Sequence, residues 1–261
     1  MIDAHIHIDL YPEPERGAML DEAFTSGLQA VIAVSMHLES CKVNRELKQR
    51  YGGRVITAYG YHPEQPLPDE AELDSLYNWI RERHGEGERF AIGEVGLPYY
   101  SRTEAEAAGR LFDEAPYEAL LERFVALAAE LDLAVVLHAV YEDADKACAL
   151  LEKYEVQRAH FHWFKGAPET VERMIARGYR ISVTPDVAYE PEIQAIVRRY
   201  PLELMMAETD GPWPFEGPYE GKRTHPLMVK DVVAKIAELK GVAFPAAAEQ
   251  IRSNTELLYK I

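Results

Sequence analysis

Short, nearly unbroken apolar runs alternate along the chain with longer amphipathic stretches. The runs fall at 2–8, 30–35, 54–60, 90–95, 134–138, 158–162, 180–183 and 204–208. Most are continuous rather than alternating, the pattern of parallel strands covered on both faces. Between them the spacing turns helical. Ala144, Ala147, Cys148 and Leu151 recur at i, i+3, i+4 and i+7 behind Glu142 and Asp143. Pro168 suits the first turn of the next helix, and Gly178 follows its last apolar residues. Val229, Val232, Val233 and Ile236 repeat the helical spacing before Gly241. Eight such strands alternating with helices in 261 residues predict an α/β fold, a single-domain (β/α)8 barrel over 1–261. A doubly wound open sheet shares the alternation, but no glycine-rich phosphate fingerprint follows the first run.

A barrel of this kind draws its active site from the C-terminal ends of several strands. The polar residues fall there. The first run holds His5-Ile6-His7, two imidazoles that a strand sends to one face. The third ends in Tyr61-His62-Pro63, and the fourth carries Glu94 inside Ala91-Ile92-Gly93-Glu94-Val95-Gly96. The fifth ends at His138, the sixth reads His160-Phe161-His162, and the eighth ends in Glu208-Thr209-Asp210. Each alone has a plain reading. A strand-end histidine is commonly a hydrogen-bonded structural residue, Glu94 suits an ion pair, and Asp210 suits a turn before Gly211-Pro212. Gathered at one rim they point instead to a metal site, where a dication offsets the cost of burying Glu94 and Asp210. Mixed imidazole and carboxylate ligation fits zinc, manganese, nickel or iron, and a carboxylate-rich half accepts magnesium.

The net charge of −16, from 28 Lys+Arg against 44 Asp+Glu, argues against a broad grip on nucleic acid or an anionic membrane. Stable binding of duplex DNA is not expected. The two cysteines, Cys41 and Cys148, have no metal-type spacing, so a reduced, cytoplasmic protein is expected. No apolar run reaches membrane-spanning length, and the stretch carrying His5 and His7 is not expected to be a cleaved leader.

With these motifs in order, the chain resembles the TatD family of metal-dependent hydrolases and deoxyribonucleases, within the amidohydrolase superfamily. The carriers are Asp3-Ala4-His5-Ile6-His7, Gly60-Tyr61-His62-Pro63, Gly93-Glu94-Val95-Gly96-Leu97, Leu137-His138, His162-Trp163-Phe164-Lys165-Gly166 and Glu208-Thr209-Asp210-Gly211-Pro212-Trp213. The resemblance implies two divalent ions. His5, His7 and Asp210 would bind the first, Glu94 would bridge, and His138 with His162 would bind the second. His162 holds the family's register four residues before Gly166, which leaves His160 as a supporting or core residue. Dications acidify water, and Asp210 beside them is the expected proton acceptor. His62, Lys165 and Arg223 are the expected substrate contacts, holding an oxyanion.

Departures from the family pattern surround the ligands. Val140 stands where the family usually has arginine, Pro98 where aspartate follows the glutamate motif, Lys165 where serine is usual, and Glu64 where a histidine often follows the His-Pro pair. Hydrolysis at a metal centre is therefore better supported than DNA as its object. The expected substrate is a small phosphorylated molecule or a nucleic-acid end. A C–N or carboxyl-ester hydrolase is the alternative enzyme, and a metal-binding protein without turnover the alternative class.

Two connections are expected to shape the pocket. The stretch 98–116 contains Thr103-Glu104-Ala105-Glu106, which reads as a capping box opening a short helix, either a lid or a surface insertion. The stretch 211–225 holds Trp213, Phe215, Tyr219 and Arg223, which suit either a stacked base with its phosphate or packing on the barrel rim.

Overall fold

The computed structural model describes residues 1–261. Eight parallel strands pair in chain order: β1 Ile2–Ile6, β2 Ala30–Ala33, β3 Val55–Tyr59, β4 Ala91–Gly96, β5 Val135–His138, β6 Ala159–Phe161, β7 Arg180–Val183 and β8 Met205–Ala207. Two backbone bonds draw the last strand to the first: Asp210 donates to the His5 carbonyl at 2.9 Å, and His7 donates to the Gly211 carbonyl at 2.8 Å. The sheet is thereby a nearly closed barrel in one domain.

Helices alternate with the strands: α1 Glu13–Thr25, α2 Leu38–Tyr51, α3 Glu70–Gly85, α4 Tyr99–Ala107, α5 Ala115–Glu130, α6 Glu142–Lys153, α7 Pro168–Arg177, α8 Pro191–Arg199, α9 Val229–Lys240 and α10 Phe244–Tyr259. The punctuation expected from the sequence ends them. Gly178 and Gly241 take left-handed conformations just past α7 and α9, where a Cβ would be strained. No helix is long and apolar enough to cross a membrane.

Two apolar layers follow from the strands' two faces. Ile2, Ala4, Ile32, Ile56, Ala58, Ala91, Val136 and Met206 fill the lumen, which Leu258 and Tyr259 of α10 plug from below. Ile6, Val31, Val55, Ile92, Val95, Val135, Leu137 and Ile181 belong to the larger layer between strands and helices. The parity is informative. In β1 the lumen residues are Ile2 and Ala4, yet Ile6 packs outward; in β4 Ala91 is inside, yet both Ile92 and Val95 are outside. The pairing register slips between Asp3 and Ile6 and again between Ile92 and Val95. Each irregularity exchanges the faces and turns His5 and Glu94 into the lumen.

One expected element differs. The helix in 98–116 begins at Tyr99, not at Thr103. Thr103 makes no cap; its hydroxyl donates to the Tyr99 carbonyl one turn back, at 2.9 Å. The start of α4 is satisfied instead by a carboxylate from elsewhere in the chain, which the local sequence does not reveal.

Candidate metal centre

The C-terminal mouth gathers residues from six strands and their following loops. His5, His7, His62, Glu94, His138, His162 and Asp210 are all buried there. Glycines make room for the carboxylate. A Cβ on Gly93 would stand 2.6 Å from the Val136 Cβ, and one on Gly96 would overlap the His138 carbonyl, so β4 can approach β5 only with glycine at both positions.

Glu94 lies between two groups of donors. Its Oε2 is 3.0 Å from His5 Nε2 and 3.1 Å from His7 Nε2, which stand 3.3 and 3.7 Å from Asp210 Oδ1. Its Oε1 is 2.9 Å from His138 Nδ1 and 2.8 Å from His162 Nε2, themselves 3.2 Å apart. His62 Nε2 lies 3.3 Å from the same oxygen. Several of these atoms are buried yet form no hydrogen bond: both nitrogens of His5, Glu94 Oε2 and Asp210 Oδ1 among them.

Buried polar atoms that converge without bonding each other are what a cation requires. A tetrahedral ion with bonds of about 2.0–2.2 Å separates its ligand atoms by about 3.3–3.6 Å, and an octahedral one by about 3.0 Å. The His5, His7, Asp210 and Glu94 spacings, 3.0–3.7 Å, span that range, and the Glu94, His138 and His162 spacings, 2.8–3.2 Å, begin just below it. The residues present therefore fit divalent metal.

The electrostatics agree. Burial pushes the Glu94 carboxyl up, but His162, His62 and His5 outweigh it and hold the group well below the usual carboxylate range. Burial and the neighbouring His162 disfavour the charged form of His5, yet Glu94 and Asp210 prevail and raise it to about 9. A carboxylate cluster this strong attracts protons where it does not hold metal. His62, buried among other imidazoles, is lowered to about 4.

A cavity of about 550 Å³ opens above these groups. His7, His62, His138, His162 and Asp210 reach it, and Glu64, Tyr100, Val140, Trp163, Lys165, Trp213 and Pro214 complete its lining. Lys165 lies within it, its ammonium 4.9 Å from the Trp163 ring centroid. A second cavity, of about 570 Å³, opens at the opposite end near Arg45, Lys48 and Tyr259, far from every candidate ligand.

Arg223 is not brought to the cavity. Its guanidinium pairs with Glu15 of α1 and lies 5.0 Å from the Tyr11 ring centroid. The loop's aromatics divide between the two readings: Trp213 is half exposed and lines the cavity, whereas Phe215 and Tyr219 are buried against the rim. Tyr100 shows α4 to be a cavity wall.

His160 lies deeper, joined to Tyr259 at 2.7 Å and Ser182 at 2.5 Å. Ser182 in turn bonds Glu208. Burial lowers His160 to about 3, so it stays neutral. Glu208 accepts from the Trp163 amide at 2.7 Å and lies 3.6 Å from His162 Nδ1. It is a carboxylate in an apolar run, the same signal that singled out Glu94, and sequence reasoning gave it no role. Glu64 was noted only as a departure. Its carboxylate stands 3.3 Å from His138 Nε2, a contact that joins residues 74 apart in sequence.

The profile of the TatD related DNase family matches residues 2–260. An uncharacterized metal-dependent hydrolase of Haemophilus influenzae is 37% identical over 261 residues, covering 100% of both chains. The human deoxyribonuclease TATDN3 is 27% identical over 268 residues, covering 99% of this chain and 94% of its own. Among solved structures, YjjV of Escherichia coli K12, a TatD homologue, superposes with a TM-score of 0.84 at 25% identity over 100% of this chain and 98% of its own. A family match over nearly every residue thus meets a barrel mouth that gathers several candidate groups of metal ligands: the chain belongs to the TatD family of metal-dependent hydrolases.

Proposed function

We propose that this chain is a two-ion phosphoesterase acting on a small phosphorylated molecule or a nucleic-acid end. The observation that carries the reading is Glu94, whose two oxygens each face a separate pair of imidazoles, with Oε2 and His5 Nε2 buried and without a hydrogen-bond partner. His5, His7 and Asp210 would hold one ion, His138 and His162 the other, and Glu94 would join them. Zinc, manganese, nickel and magnesium all suit this ligand set. Divalent ions bound there supply Lewis-acid chemistry, acidifying water and neutralising charge on the ester.

The chain's own residues do the rest. Asp210 presents a carboxylate at the cavity floor and takes the proton of the attacking water. His62, held neutral at physiological pH, is placed to orient a substrate oxygen over Glu94. Lys165 is the one lysine or arginine among the lining residues, enough for a single phosphate and not for a run of them. Tyr100 and Trp213 offer half-exposed rings against which a flat substrate group would lie. Cys41 and Cys148, unpaired and buried, support a reducing compartment, and we read it as the cytoplasm.

The test is a comparison of metal-loaded wild type with Asp210→Asn on phosphomonoesters, phosphodiesters, single-stranded DNA and amides. Wild type should hydrolyse a phosphoester about 10²–10⁴-fold faster than the variant. Turnover confined to amides or carboxyl esters would move the chain to that branch of hydrolases. Equal rates for the two proteins on every substrate would leave a metal-binding protein without catalysis.

A further inference from the structure

We propose that Glu64 is a positioning residue that orients His138 for the second ion and seats α4 as a wall of the substrate cavity. The inference rests on the two-ion reading above. Its basis is one carboxylate with two sets of partners. Oε1 accepts the Tyr100 amide at 2.8 Å and stands 3.3 Å from His138 Nε2. Oε2 accepts the Ser101 amide at 2.8 Å and the Ser101 hydroxyl at 2.5 Å.

The imidazole side comes first. His138 has one ring nitrogen, Nδ1, facing Glu94 and His162, and the other facing Glu64. A neutral imidazole carries a single N–H. An ionised carboxylate at Nε2 fixes that proton there and leaves the Nδ1 lone pair for metal. This is the carboxylate–histidine arrangement that sets ring tautomer and basicity in metal sites.

The helix side uses the same group. The first amides of a helix lack partners within it, and Pro98 at the head of α4 supplies no side-chain cap. Glu64 satisfies two of them from outside the element, as an anion at the positive end of the helix. Arg102 then ties α4 to Glu142 and Asp143 at the start of α6, at 2.9 Å each. The outcome is local to the cavity: the Tyr100 ring is held 5.9 Å from that of His138. One side chain thus couples a ligand of the second ion to the surface that contacts substrate.

Glu64→Gln and Glu64→Ala separate this from a merely structural role. Gln keeps the size; with its oxygen left to the Ser101 amide and hydroxyl, its NH₂ meets Nε2 at the cost of the Tyr100 amide's acceptor and favours the tautomer with the proton on Nδ1. The experiment is calorimetric titration of Mn²⁺ into chelator-stripped protein. Wild type should take up two ions. Both variants should bind the first ion with wild-type affinity and the second about 10–100-fold more weakly. Ser101→Ala, which loosens α4 without touching His138, should leave both affinities within about twofold. A second-ion affinity unchanged in both Glu64 variants overturns the proposal, as does equal weakening of both ions. A wild type that takes up a single ion overturns the two-ion reading and this proposal with it.

Discussion

Glu94 shows how residue chemistry made the site legible. A carboxylate in an apolar run is costly to bury, and the same logic applies to the histidines at the other strand ends. Those residue types at those positions had few cheaper explanations, and the structure brings His5, His7, Glu94, His138, His162 and Asp210 together. Arg223 and Glu64 were not legible in this way. Where a surface arginine points depends on which carboxylate captures it, and Glu15 lies on a helix more than two hundred residues away. Lys165 is left as the cavity's cation. Lys165→Met should therefore raise KM for a phosphoester about tenfold with kcat nearly unchanged, as expected for a contact made equally in ground and transition states. Steady-state kinetics on the best substrate checks this. An unchanged KM would remove Lys165 from substrate binding.

At the scale of elements, the alternation of apolar runs foretold strands and helices in order, because parallel strands sealed on both faces have little other composition available. The register irregularities in β1 and β4 were not foretold. They depend on pairing with β2 and β5, and only the glycines around Glu94 hint at them. The start of α4 failed for a similar reason, since its cap comes from Glu64. Another carboxylate holds elements together at the barrel's other end. Glu88, just before β4, accepts from Arg45 of α2 at 2.8 Å and from Tyr59 of β3 at 2.6 Å. Burial disfavours its charge, but Arg45 and Tyr59 prevail and lower it below the ordinary carboxylate value. A lowered group contributes stability that is complete above its unfolded pKa, near 4.3, and is lost as pH falls through the folded value. Glu88→Gln should cost about 1–3 kcal/mol at pH 7 and less near pH 3, below the unfolded value. Urea midpoints at the two pH values measure the difference. An equal loss at both would show that the carboxylate's charge is not what matters.

For the whole molecule, the fold and family were legible because motifs spread along the entire chain converge at one rim. The substrate was not, since it is decided by walls that the ligand set does not specify: Tyr100, Trp163, Lys165 and Trp213. Overall charge adds one constraint. At −16 the protein repels a polyanion, and its cavity presents one lysine. Binding to long duplex DNA should be weak at physiological salt, with a log–log salt dependence corresponding to about one or two phosphates. Fluorescence anisotropy across a salt series gives the slope, and a steep one would reveal a basic track along the surface.

The central claim is that Glu94 joins two ions at the barrel mouth. Anomalous diffraction from crystals soaked in Mn²⁺ or Zn²⁺ tests it most directly. The expected map has two peaks about 3.5–4 Å apart, one among His5, His7 and Asp210 and the other at His138 and His162, with Glu94 reaching both. A single peak, or peaks that Glu94 does not touch, would contradict the account.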